Sequence, residues 1–160
     1  MSSHYQPQAG WVPPGAEFRT SGHFPRTVFG ALIGLVVTPI GIGLVANGGL
    51  GSRQWVILGA AEDRWSSNAQ ILGGALLLLL VALLAGYSPV GTVLAGLVWG
   101  LLPGLAQIFF PDDTWRLIEQ STVLSPELRS AAHHWVLNGL ALVLGLVLIG
   151  TGLAAALRRR

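Results

Sequence analysis

The sequence has no cysteine, no lysine and, over three long stretches, no charge at all. Without thiols there are no disulfides, no thiolate metal sites and no cysteine catalysis, so a redox role is excluded. Charged residues make up 10% of the 160 positions, where a soluble domain carries about a quarter. No charge lies between Thr27 and Ser52, between Trp65 and Pro111, or between Trp135 and Leu157. Such blocks require lipid as the solvent, because helices in water keep a polar face and these have none. The calculated pI near 9.9 comes from a few arginines over a small total charge. It does not come from a basic patch of the kind that binds nucleic acid.

A helix advances about 1.5 Å per residue and needs roughly 20 apolar residues to cross the hydrocarbon core. The first and last blocks each hold one crossing. The middle block is about twice as long and is interrupted by "GYSPVG", a turn signal, so it holds two. The sequence therefore predicts an all-α, polytopic membrane protein with four transmembrane helices, over residues 27–46, 69–87, 90–110 and 135–157. Outer loops are expected at 47–68 and 111–134, within a four-span domain of residues 26–157. Residues 1–25 hold four prolines and no apolar periodicity, which predicts a flexible cytoplasmic tail, and 158–160 form a basic cytoplasmic end. Span 1 begins too far into the chain and is too long for a cleaved leader, and Leu44 precedes Ala46 at the minus-three position, so it is expected to stay attached.

Arg19, Arg26, Arg158, Arg159 and Arg160 closely flank the spans on the side of the two termini. Arg53, Arg64, Arg116 and Arg129 lie in the longer loops opposite, beside six carboxylates. The positive-inside rule then sets both termini in the cytoplasm of a cell membrane. Trp55, Trp65, Trp115 and Trp135 with Phe109 and Phe110 mark one interface, and Phe24, Phe29 and Tyr87 the other.

"TVFGALIGLVVTP" from Thr27 and "TVLAGLVWGLLP" from Thr92 are offset by 65 residues. The same offset relates "ILGGALLLLLVALLAG" from Ile71 to "VLNGLALVLGLVLIGT" from Val136. This internal repeat is read as a tandem duplication of a two-helix hairpin, with spans 1 and 3 equivalent. Pro39 and Pro103 fall inside spans 1 and 3 and are expected to kink them. Each frees the carbonyl four residues earlier, that of Leu35 and that of Trp99, which a neighbouring helix or the Thr38 hydroxyl must satisfy. Gly30 and Gly34 form one GxxxG pattern, and Gly96, Gly100 and Gly104 form two, giving flat strips for close helix packing. In span 4, Asn138, Ala141, Gly145 and Gly152 recur at coiled-coil spacing and mark its packing face.

No acidic or basic residue lies inside a span, which argues against a proton-coupled pathway. Gln70, Gln107, His134 and Asn138 favour the outer half and form a candidate polar cluster. Their competing reading is helix-to-helix bonding. His133 and His134 are adjacent and point about 100° apart on a helix, so they do not share a metal ion, and no metal site or cofactor is expected. Asp112 or Asp113 is expected to cap a helix over "TWRLIEQ". Ser125 should cap the next helix, with Pro126 first and Glu127 on the helix dipole, leading into span 4. No nucleophile, phosphate-loop or zinc motif appears, and no catalytic residue is assigned. These features describe a non-enzymatic four-helix bundle that acts on other membrane proteins, or on itself, as a scaffold, accessory subunit or assembly factor. The alternative is a small oligomeric transporter or pore with an outward-facing polar vestibule.

Overall fold

The computed structural model describes residues 23–59 and 64–158. The expected tail through residue 22, Glu62, Asp63, Arg159 and Arg160 lie outside the described residues, and so does the side chain of Trp55. Among the described residues the chain is helical, with no strand. It runs through α1 (His23–Leu58), α2 (Arg64–Leu83), a 3-10 turn (Leu84–Gly86), α3 (Pro89–Gly96) and a π-helical turn (Leu97–Leu101). Then come α4 (Leu102–Phe109), α5 (Pro111–Gln120), α6 (Pro126–Leu137) and α7 (Leu140–Leu157). Four stretches are long and apolar enough to cross a membrane: Thr27–Gln54, Arg64–Gly86, Pro89–Phe109 and Leu140–Leu157. The chain is a multi-pass, four-span helical bundle. Only 17 to 28% of the most apolar window of each span is buried within the chain. On α2, for example, Leu72, Leu76, Leu79, Leu80 and Leu83 all point outward, a surface that is stable in lipid and not in water.

Three boundaries differ from the sequence reading. α1 continues past Ala46 to Leu58, so most of the expected 47–68 loop is helix. The glycines that looked like breakers are contact points, since a side chain on Gly48 would come within 2.6 Å of the Ser67 carbonyl oxygen. The expected 111–134 loop carries α5 and α6. Span 4 starts at Leu140 and not at Trp135, because Gly139 takes φ +71° and stops the helix. That left-handed conformation is open to glycine and strained for a residue with a Cβ.

α1 packs most extensively on α2, while α3, the π turn and α4 pack on α7. α1 also meets α3. Gly30 abuts Ser88, and a Cβ on Gly34 would stand 2.8 Å from the Gly91 carbonyl oxygen. Gly96, Gly100 and Gly104 turn the other way, onto Gly145, Leu148 and Leu142 of α7. From α7, Gly145 lies against Leu101 and Gly152 against Pro89 and Val93. Spans 1 and 3 therefore do touch, but the glycine strip of span 3 serves α7. Ala141, Gly145 and Gly152 are buried as the spacing predicts, whereas Asn138 lies beyond the helix break and is exposed. Two small clusters form the interior: Val81, Ala95 and Leu148 in one, and Ala46, Ala131, Trp135 and Ala141 in the other.

The two interior prolines are accommodated differently, Pro39 by a neighbouring helix and Pro103 by a widened turn of its own span. The Leu35 carbonyl, which Pro39 leaves without its helical donor, accepts a hydrogen bond from Trp99 Nε1 at 2.9 Å. Thr38 takes no part: it is fully buried and its Oγ1 has no partner. Pro103 follows the π turn, where the Leu102 N–H reaches back to the Leu97 carbonyl. That widened turn carries Trp99.

Candidate functional site

α5 and α6 lie together at the end of the bundle where α4 stops and α7 starts, here called the loop face. α5 begins when Pro111 takes the first helical position after Phe110. Asp112 and Asp113 stand inside its first turn, where they favour the helix dipole. Neither is the cap, because Phe110 holds that position and makes no side-chain cap bond. The Thr114 hydroxyl donates to the Phe110 carbonyl at 2.9 Å. α6 starts as its sequence predicts, with Ser125 Oγ accepting from the Leu128 N–H at 3.3 Å and Pro126 next. The backbone N–H of Glu127, followed by Ser125, holds the exposed Glu127 carboxylate below its ordinary range. Arg129 Nε donates to the Leu124 carbonyl at 3.0 Å and ties down the connection between the two helices.

The helices also meet through aromatic rings. Trp115 of α5 and His133 of α6 form an edge-on pair with centroids 4.0 Å apart and planes at 70°. Burial pushes the His133 pKa below its ordinary value, the neighbouring His134 lowers it further, and Glu119 acts in the opposite sense.

The expected polar cluster is divided. Gln70 accepts a hydrogen bond at 2.9 Å from the amide of Asn47, joining α2 to α1. His134 and Asn138 do come together, and with Arg53 they line a cavity of about 220 Å³ that also meets Ile71, Ala131 and Trp135. Gln107 is half-buried, its Oε1 has no partner, and it is not part of that lining. Arg53 was hidden from sequence reasoning by its assignment to a loop. It belongs to α1 because that helix continues.

A larger cavity, of about 440 Å³, lies on the other side of Trp135. Its floor is Pro39, Ile42 and Gly43 of α1 with Trp99 and Pro103 of the third span, and α5 and α6 close over it with Leu117, Ile118 and Leu128. Both interior prolines, the exposed Trp99 and the buried Trp135 meet here. No residue that lines it is charged. Trp135 is nine-tenths buried, and its indole N–H has no hydrogen-bond partner. Only proximity in space assembles this site.

Among the described residues, no three histidine, aspartate or glutamate side chains converge to hold a metal ion. Compared with the models of known protein families, with curated proteins and with solved structures, the chain matches none of them.

Proposed function

We propose that the chain is a cell-membrane protein that acts by association, as a scaffold, accessory subunit or assembly factor, and not by catalysis. One observation carries this reading: polar side chains within the spans hold helix to helix. Asn47 bonds Gln70, Trp99 bonds the Leu35 carbonyl, and Thr92 donates to the Val81 carbonyl at 3.3 Å. Among the described residues, Asp112, Asp113, Trp115, Arg116, Leu117 and Glu119 are exposed together on α5 at the loop face, where a partner can meet them. Arginine placement puts both termini in the cytoplasm and α5 with α6 outside. Pull-down of the full chain from native membranes in mild detergent, followed by mass spectrometry, is expected to recover a stoichiometric membrane partner or a self-association. Recovery of neither removes the reading.

We further infer that the two hairpins are copies of one unit packing through its glycines. Residue numbers of facing pairs add to 115 in the first hairpin (Gly41 with Gly74, Gly48 with Ser67). They add to 245 in the second (Gly100 with Gly145, Val93 with Gly152), and the difference is twice the 65-residue offset. A small oligomeric transporter is the second reading, favoured by the shared cavity of Arg53, His134 and Asn138. Flux through liposomes tests it, and unchanged flux after Asn138→Leu with His134→Leu, both in that lining, removes its basis.

A further inference from the structure

The smaller cavity, of about 220 Å³, has two kinds of wall. Val45, Ala46, Ile71 and Leu140 are apolar and belong to the first, second and fourth membrane spans. Arg53, His134 and Asn138 are polar and stand at the loop-face boundary of the membrane. Arg53 comes one residue before the first span ends at Gln54, and Asn138 two residues before the fourth begins at Leu140. A second hollow, of about 310 Å³, shares Leu50, Arg53 and His134 with the first and adds Gln54 and Ile57. Arg53 and His134 therefore border both.

The polar groups are open and unused. Arg53 and Asn138 are exposed and His134 is half-buried. None of the three side chains makes a hydrogen bond or ion pair among the described residues. No carboxylate lines either hollow. The guanidinium, the amide and the imidazole all carry N–H donors, and the guanidinium adds a permanent positive charge. Such a set calls for an anion with several acceptor oxygens, and the planar arginine fork matches phosphate. The apolar wall calls for a hydrocarbon beside that anion. We propose that Arg53, His134 and Asn138 bind the phosphate of an anionic phospholipid, whose acyl chains descend past Val45, Ile71 and Leu140. Phosphatidylcholine suits the site less well, because its choline cation would stand near Arg53 with no carboxylate to balance it. The site requires neither the association nor the transport reading, and binding is measured apart from both.

The experiment uses the purified full chain in phosphatidylcholine nanodiscs containing phosphatidylglycerol with a diazirine in one acyl chain. The expected result is saturable photolabelling of peptides from residues 45–53 and 131–140. Unlabelled phosphatidylglycerol should compete about ten-fold better than added phosphatidylcholine, and millimolar inorganic phosphate should not compete. Arg53→Gln, a change at an exposed position, should reduce labelling about ten-fold and remove the preference for phosphatidylglycerol, with the melting temperature retained. Asn138→Leu should weaken it about three-fold. Gly49 lines the cavity and a Cβ there has nothing within 4 Å, so Gly49→Leu fills the site without a clash and should abolish labelling. Gly73→Leu, equally open but outside the lining, should leave labelling unchanged. Labelling that does not saturate, that shows no preference for phosphatidylglycerol, or that survives Arg53→Gln overturns the site. Displacement by inorganic phosphate as effective as by phosphatidylglycerol assigns the cavity to a free anion and overturns the lipid.

Discussion

The two hairpins of this bundle treat their ends in opposite ways. In the first, α1 and α2 run unbroken through Val45, Ala46, Gly73 and Gly74. At the positions 65 residues later the second hairpin breaks twice, at Phe110–Pro111 and at Asn138–Gly139. Proline has no N–H to continue a helix, and glycine at positive φ ends one. The ends thus detached are α5 and α6; α6 folds against α1, and α5 packs on α4 and α6. Two local breaks are enough to turn a rod-like hairpin into one that encloses a cavity.

The largest effect should separate the hairpins' packing surfaces. Gly100→Leu places a side chain on the Gly145 backbone and should cost about 3–5 kcal/mol or prevent accumulation in membranes. Gly73→Leu, with nothing within 4 Å of its Cβ, should change stability by less than about 0.5 kcal/mol. Detergent-titration unfolding of the pair measures both.

Next is the link between the hairpins. Trp99→Phe removes the donor to Leu35 and should cost about 1–3 kcal/mol, the penalty of a carbonyl left without a donor inside a membrane span. Pro39→Ala restores the helix's own donor, so in that background the same change should cost under about 1 kcal/mol. A double-mutant cycle reads the coupling, and equal costs in the two backgrounds would disprove the link. Gly139→Ala keeps the break but forces a side chain into the left-handed region, at roughly 1–2 kcal/mol. Gly74→Ala tests the other hairpin at the matching position, where the expected loss comes from contact with Gly41 and Val45 instead.

Smaller effects concern the loop face alone. Ser125→Ala removes the α6 cap and should cost about 1 kcal/mol, seen as faster hydrogen exchange at Leu128. Acidification acts through His133. Its pKa is lowered by folding, so the folded chain takes up the proton less readily than the unfolded one. Its contribution is complete above the ordinary histidine value near 6.5 and declines as pH falls through that value toward the lowered one. Melting curves at pH 8 and pH 5.5 should differ, and His133→Phe should reduce the difference.

The spans were legible because missing charge is a property of single residues. Ser125 was legible as a cap because serine, proline and glutamate act on their immediate neighbours. The start of span 4 carried a readable signal in Asn138–Gly139, a turn dipeptide, which the apolar run on both sides concealed. The helical continuation to Leu58 was not legible, because two of the glycines after Asn47, Gly48 and Gly51, pack against Ser67 on another helix. Trp99 illustrates the same limit. Sequence identified the carbonyl that needed a donor, while the donor stood 64 positions away. The polar cluster divided for a similar reason, since Gln70 found Asn47 across the first hairpin.

The folding of α6 back onto α1 can be tested directly, because the chain has no native cysteine. Gly43→Cys and Leu128→Cys would be introduced together and treated in intact membranes with a short bifunctional thiol reagent. Efficient intramolecular cross-linking, with none for Gly73→Cys and Leu128→Cys, is the predicted result. If each cysteine at 43 and 128 reacts singly with thiol reagents yet the pair never cross-links, α6 does not cover α1 and the enclosed cavity does not exist.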